Sequence, residues 1–294
     1  MGMFDAQQKH TRVVDRLRGW PGPLGGAVLD GYTAAMRRWA PEQDGVTYFG
    51  ATVRCDPVDT IQRMILLFKV WEPGVSAVIE ANLRAGDVFV DIGANIGYDS
   101  LLAASLGADV VSVEAAPSTF ARLTENLDRN PELGCRVRAV NVAVSDRPGE
   151  LDLYEFGPSN TGATTTIAAR HGTRCATVQA ARLGDILTAA ERAAVRLVKM
   201  DVEGAEPAIL DDILDHLDDY PARMDIVIEA NPQDDRSRFE AVFRRLRDAG
   251  FTAWAIENRY SNGWYLSWQA RPPRRLDAPP EQRCDLLLTR RDTL

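Results

Sequence analysis

Apolar and polar positions follow two rhythms along this chain. Short segments dominated by apolar residues recur at Val88–Ile92, Val110–Val113, Val195–Met200 and Met224–Ile228. Runs of that length without alternation predict strands buried on both faces of a parallel sheet. Between them the apolar residues fall three and four apart, as on the buried stripe of a helix: Leu101, Leu102 and Leu106; Phe120, Leu123 and Leu127; Leu210, Ile213, Leu214 and Leu217. With strands at Arg136–Val140, Phe251–Ile256 and Cys284–Thr289, the pattern predicts a doubly wound α/β fold around a mostly parallel, seven-stranded sheet. Ligands of such sheets bind at the carboxyl ends of the strands.

Other segments are read more coarsely. Leu151–Phe156 reads as an added strand, and 157–172 as a long polar loop of the kind that more often serves function than idles. Trp264–Trp268 reads as an edge strand and Arg271–Pro280 as a loop. Before Asp87, helical spacing at Val13, Val14 and Leu17, at 28–39 and at Asp59–Val70 surrounds a strand-like Val46–Val53. The expected organisation is a mainly helical N-terminal region over 1–84, serving as cap, lid or oligomer contact, followed by one catalytic domain over 85–294.

Composition removes several classes of function. A net charge of −8 without a basic run argues against a nucleic acid partner. No apolar run approaches the roughly 20 residues that span a bilayer, and the N-terminus has no signal core, so a cytoplasmic protein with no membrane partner is expected. Cys55, Cys135, Cys175 and Cys284 form no C-x-x-C pair and are expected to be reduced thiols. Oligomeric state is not encoded in any visible pattern.

Two stretches carry chemistry. In the first, Asp91-Ile-Gly-Ala-Asn-Ile-Gly97 follows a strand and opens a helix, so Gly93 and Gly97 let backbone amides approach a ligand. Glu114 ends the next strand, where an acid accepts hydrogen bonds from a ribose diol. A dinucleotide fingerprint would place glycines at 93, 95 and 98, but Asn95 and Tyr98 stand at two of them. The second stretch is Lys199-Met-Asp-Val-Glu-Gly-Ala-Glu206, four charged groups at one strand end and one of only three lysines in the chain. Buried charge of that density needs pairing or a ligand.

Together with Ser112–Phe120 and Asn141–Asp146, these motifs stand in the order seen in the FkbM family of S-adenosylmethionine-dependent methyltransferases, which the chain resembles over roughly 86–229. The resemblance implies a Rossmann-like fold and O-methylation of a hydroxyl on a secondary-metabolite or sugar scaffold. It places Asp91, Gly93, Asn95 and Gly97 at the methionine end of the cofactor, Glu114 at the ribose, and Asn141 and Ala143 near the adenine. Asp201 then faces the methyl group and the acceptor as base or metal ligand. Glu203, Glu206 and Glu229 could complete an oxygen-ligand site for Mg²⁺; the competing reading has Glu203 and Glu206 capping the next helix. His171, in the long loop, is a second candidate base. The residues alone leave open an N, carboxylate or peptide acceptor, a dinucleotide-dependent oxidoreductase and a non-catalytic cofactor-binding partner.

Overall fold

The computed structural model describes residues 4–20, 23–155, 164–165, 173–202, 204–291 and 293. Four N-terminal helices, α1 (Phe4–Leu17), α2 (Leu24–Trp39), α3 (Thr60–Phe68) and α4 (Pro73–Asn82), enclose a hairpin of β1 (Gln43–Val46) and β2 (Thr52–Cys55). The strand expected at Val46–Val53 is thus the turn of that hairpin, because Thr47 and Gly50 close it instead of extending it. Asp59 caps α3 by accepting from the Gln62 amide at 3.0 Å.

The rest alternates as the apolar runs require. The strands are β3 (Val88–Ile92), β4 (Asp109–Val113), β5 (Val137–Val140), β6 (Ala143–Val144), β7 (Gly149–Glu155), β8 (Thr164–Thr165), β9 (Thr173–Ala181), β10 (Val195–Met200), β11 (Asp225–Ala230), β12 (Thr252–Ile256), β13 (Arg274–Leu276) and β14 (Cys284–Thr289). The helices that position the site are α5 (Tyr98–Ser105), α6 (Pro117–Asp128), α7 (Pro131–Gly134), α8 (Leu183–Ile186), α9 (Ala189–Ala194), α10 (Glu206–Asp215), α11 (Arg236–Asp248) and α12 (Asn262–Ser267).

The central sheet has order β13-β12-β14-β11-β10-β3-β4-β5, with β5, β4, β3, β10 and β11 mutually parallel and β14 antiparallel to both neighbours. It has eight strands where seven were expected. The addition is β13, three residues inside the segment read as a loop, which pairs with β12 through Ala253 and Leu276. Trp264–Trp268 is helical: the Ser261 hydroxyl caps α12, and Gly263 lets it pack tightly on Gly26 of α2. A second sheet, β6-β9-β7-β8, flanks the cleft described below.

Side chains alternate across the sheet. Val90, Ile92, Val198, Ile226 and Ile228 pack on α10 and α11, while Phe89, Leu197, Val227 and Leu287 pack on α4 and α5. Each fully buried aliphatic side chain contributes on the order of 2 kcal/mol. A third cluster joins Val14, Leu29, Ile65 and Tyr265 to Ala94, Ile96 and Tyr98 of the glycine loop, so the N-terminal helices help to brace that loop. No helix among the described residues is long and apolar enough to cross a membrane, and none of the four cysteines is in a disulfide.

Candidate active site

The strand order reverses between the parallel neighbours β3 and β10, since the chain proceeds from β3 outward to β4 on one side and from β10 to β11 on the other. The two chemical motifs end these two adjacent strands. Their backbones touch: a Cβ at Gly93, whose φ is +77°, would lie 2.0 Å from the Asp201 carbonyl oxygen, and the Asp201 amide donates to Ile92 O at 3.0 Å. Only glycine satisfies both the left-handed conformation and this approach. Gly97, with φ +88°, begins α5 where a Cβ would meet the Leu123 side chain. Asn95 is also left-handed, with φ +51°, a conformation asparagine tolerates better than most residues.

This conformation aims the Asn95 amide at Glu114. Glu114 Oε2 accepts from Asn95 N and Oε1 from Ala116 N, both at 2.9 Å. Burial raises the Glu114 pKa to about 7, against the pull of the two amides. An ionised carboxylate offers about four acceptor positions, so two remain for a ribose diol. The cleft beside it is lined by Ile92, Gly93, Asn95, Glu114, Val142, Ala143, Val144, Asp201 and Val202 among others. Ala143, the residue expected near the adenine, lines this cleft. Asn141 braces the cleft instead of lining it, its amide donating to the carbonyls of Glu114 and Ala115.

Behind the loop lies a buried charged layer. Asp91, at 0% exposure, accepts from Ser100 Oγ at 2.6 Å, and Ser100 pairs with Ser112 at 2.6 Å. Lys199 Nζ lies 3.3 Å from Asp99, 3.9 Å from Asp201 and 4.0 Å from Asp91. Burial raises Asp91 to about 6 and lifts Asp99 too, while Lys199 is held well above its ordinary value, the carboxylates outweighing its desolvation. One oxygen each of Asp91 and Asp99 accepts no hydrogen bond. Asp99 is absent from the sequence-based site, although its place in the first turn of the helix after the glycine loop was visible.

Three of the four carboxylates expected at a metal site, Asp201, Glu206 and Glu229, are described, and each has other partners. Glu206 turns back on its own loop, accepting from Val202 N at 3.2 Å and Gly204 N at 2.8 Å, with burial raising it to about 7. It thereby braces the loop before α10, whose N-cap is Ala205 and which has no side-chain cap. Glu229 instead pairs with Arg283 at 2.5 Å and accepts from Tyr260 at 3.2 Å, and Asp201 faces Lys199. Among the described residues no group of three or more His, Cys, Asp or Glu is arranged to hold a metal ion. Glu203 and His171 lie outside the described residues. His10 is held by Tyr32 and Gln43, and His216 by Arg182 and Asp212, so neither reaches the cleft.

A larger groove, about 430 Å³, adjoins the cleft, sharing Val144 and Ala205 with it. Its wall includes Asp146, Leu151, Pro207, Glu229, Asn231, Arg238 and Phe239.

A Rossmann-like sheet with a glycine loop and a ribose-type acid at its reversal point, and a second groove beside it, is the framework of a methyltransferase. A profile of the methyltransferase FkbM domain matches residues 91–253; the chain belongs to that family. It is 27% identical over 200 residues to the hexuronic acid methyltransferase AglP of Haloferax volcanii, covering 68% of this chain and 75% of that protein. It is 30% identical over 207 residues to the 31-O-demethyl-FK506 methyltransferase FkbM of Streptomyces tacrolimicus, covering 60% of this chain and 76% of that one. Among solved structures, a methyltransferase FkbM from Methylobacillus flagellatus aligns with a TM-score of 0.45 at 12% identity, over 78% of this chain and 52% of that one.

Proposed function

We propose that the protein transfers the methyl group of S-adenosylmethionine to a hydroxyl oxygen of a small sugar or secondary-metabolite scaffold. The observation that supports this most is the meeting of cleft and groove just beyond the end of β10, where Val144 and Ala205 line both and Asp201 and Val202 line the cleft beside them. The chain's residues fit the methyl donor. Glu114 has acceptor positions left for the ribose, Val142–Val144 give an apolar wall beside the ring, and Asp91 retains an oxygen that accepts no hydrogen bond, with only Lys199 at 4.0 Å, for an ammonium group. Bound there, the cofactor supplies an electrophilic methyl group.

The protein's share of the work is alignment and water exclusion, because an in-line displacement depends on geometry. Lys199 answers part of the charge of Asp91, Asp99 and Asp201 and so fixes the floor on which both ligands meet. The hydroxyl acceptor is suggested by the names of the two relatives, a hexuronic acid methyltransferase and a 31-O-demethyl-FK506 methyltransferase.

The test is methyl transfer from deuteromethyl-labelled S-adenosylmethionine to a panel of hexoses, hexuronates and hydroxylated macrolides, read by mass spectrometry. A mass gain on a hydroxyl-bearing acceptor supports the proposal. Labelling of amine or carboxylate acceptors only, by protein that binds S-adenosylhomocysteine, overturns the hydroxyl assignment and leaves the methyltransferase standing.

A further inference from the structure

Beside the cofactor cleft stands a group of carboxylates of which Glu72, Glu229 and Asp285 are buried and do not line that cleft. Parallel pairing of Met200 with Ile228 sets Asp201 abreast of Glu229 at the next register position, and Glu229 pairs with Asp285 of β14. Three carboxylates thus stand side by side at the ends of three neighbouring strands, on the face covered by α4 and α5. Glu72 enters the same layer from the start of α4 and is buried. The Tyr260 hydroxyl lies 2.7 Å from Glu72 Oε1 and 3.2 Å from Glu229 Oε1, with its ring stacked on Trp71 at 5.3 Å.

A phenol has one proton. Tyr260 can donate to only one of these two carboxylates, so the second contact is stable only when the other carboxyl carries a proton and donates to the phenol oxygen. Glu72 is the deeper of the two, and burial together with Asp285 and Asp201 raises it well above the carboxylate range. Glu229 is offset by Arg283 and is also part of the groove wall. The order that satisfies every oxygen is a Glu72 carboxyl donating to Tyr260, and Tyr260 donating to Glu229.

Resting on the methyltransferase reading above, we infer that Glu229 is the proton acceptor for the hydroxyl group that is methylated, with Tyr260 and Glu72 as its positioning residues. As the acceptor oxygen bonds to the methyl carbon, its O–H proton passes to Glu229 and the S–C bonding pair is left on sulfur; the Glu229 carboxyl then returns its proton to solvent. Asp201 is less suited to this task because the Lys199 ammonium already faces it. The groups around Glu229 are Asp201 from the end of β10, Glu72 from α4, Asp285 and Arg283 from β14 and its approach, and Tyr260 from the loop before α12. Burial, with Asp201 and Asp285 beside it, raises Glu229 to about 8, a poise suited to a general base near neutral pH.

The first arm of the test needs no acceptor. Protein labelled with carbon-13 at the glutamate carboxyls is titrated by NMR with S-adenosylhomocysteine present. The expected result is a carboxyl resonance titrating near pH 8 that disappears in Glu229→Gln, and a second that stays protonated beyond it and disappears in Glu72→Gln. Tyr260→Phe, which removes a donor to the carboxylate, shifts the Glu229 step upward. Every glutamate ionised below pH 6, or a step near pH 8 that survives in Glu229→Gln, overturns the assignment.

The second arm uses an acceptor from the panel above. In the wild type kcat rises about tenfold per pH unit and levels near pH 8; in Glu229→Gln it falls at least about 100-fold and loses that limb, with KM for S-adenosylmethionine unchanged. A limb that persists in the variant overturns the base role. Absence of any methylated acceptor counts against the methyltransferase reading and leaves the NMR result to judge the shared proton separately.

Discussion

Glu114 and Glu229 each sit at the carboxyl end of a central strand, both are buried, and both are pushed up, to about 7 and about 8. They are held differently. Glu114 is gripped by two backbone amides of residues within 19 positions of it. Glu229 is gripped by side chains, Tyr260 at 31 positions and Arg283 farther along. Backbone amides fix a carboxylate before any ligand arrives, as a cofactor site common to many acceptors needs. A cage of side chains can be changed one residue at a time, as an acceptor site needs.

The first way to break this contrast is at the seam between its halves. Gly93→Ala drives a methyl group into the Asp201 carbonyl and forces a left-handed alanine. A cost of at least about 3 kcal/mol is expected, with loss of S-adenosylhomocysteine binding, measurable by denaturant titration and calorimetry. Glu229→Gln comes next, expected to lower turnover by about 10²–10⁴ while leaving cofactor affinity in place. Steady-state kinetics at saturating S-adenosylmethionine separates the two effects. Glu114→Ala should do the reverse, weakening S-adenosylhomocysteine roughly 10–100-fold through loss of hydrogen bonds to a charged group.

The smallest expected effect concerns pH. Glu114, Glu206 and Glu229 keep protons in the native state that an unfolded glutamate releases near 4.5. The folded chain therefore binds more protons between about pH 4.5 and 8, and stability falls as pH rises through that window. The melting temperature of ligand-free protein should drop by on the order of 5 °C between pH 5 and 8.5, and by less in Glu206→Gln. A midpoint that climbs with pH over that range would mean these carboxyls are ionised in the fold.

The same contrast explains what could be read from the chain. The glycine loop and Glu114 are local signals: Gly93, Gly97 and the acid at the next strand end lie within one βαβ unit, and their meaning does not depend on distant residues. The parallel core was equally legible, because β3, β4, β10 and β11 are buried on both faces and leave segments dominated by apolar residues without strict alternation. The acceptor side was not. Glu72, Glu229, Tyr260 and Asp285 come from four segments that only the sheet order brings together. Glu206 looked like a ligand because its type and spacing suit a metal as well as a cap, and only the direction of its side chain decides. The aromatic run at 264–268 misled for a related reason: large apolar residues favour strands, but the Ser261 cap and the close approach of Gly263 to Gly26 make that segment a helix.

The division between a backbone-built cofactor half and a side-chain-built acceptor half is tested most directly by calorimetric titration of S-adenosylhomocysteine into the wild type, Glu114→Ala and Glu229→Gln. The account predicts binding by the wild type, weakening of at least tenfold in Glu114→Ala and affinity within about twofold of wild type in Glu229→Gln. Equal losses in both variants, or no binding by the wild type, would contradict it.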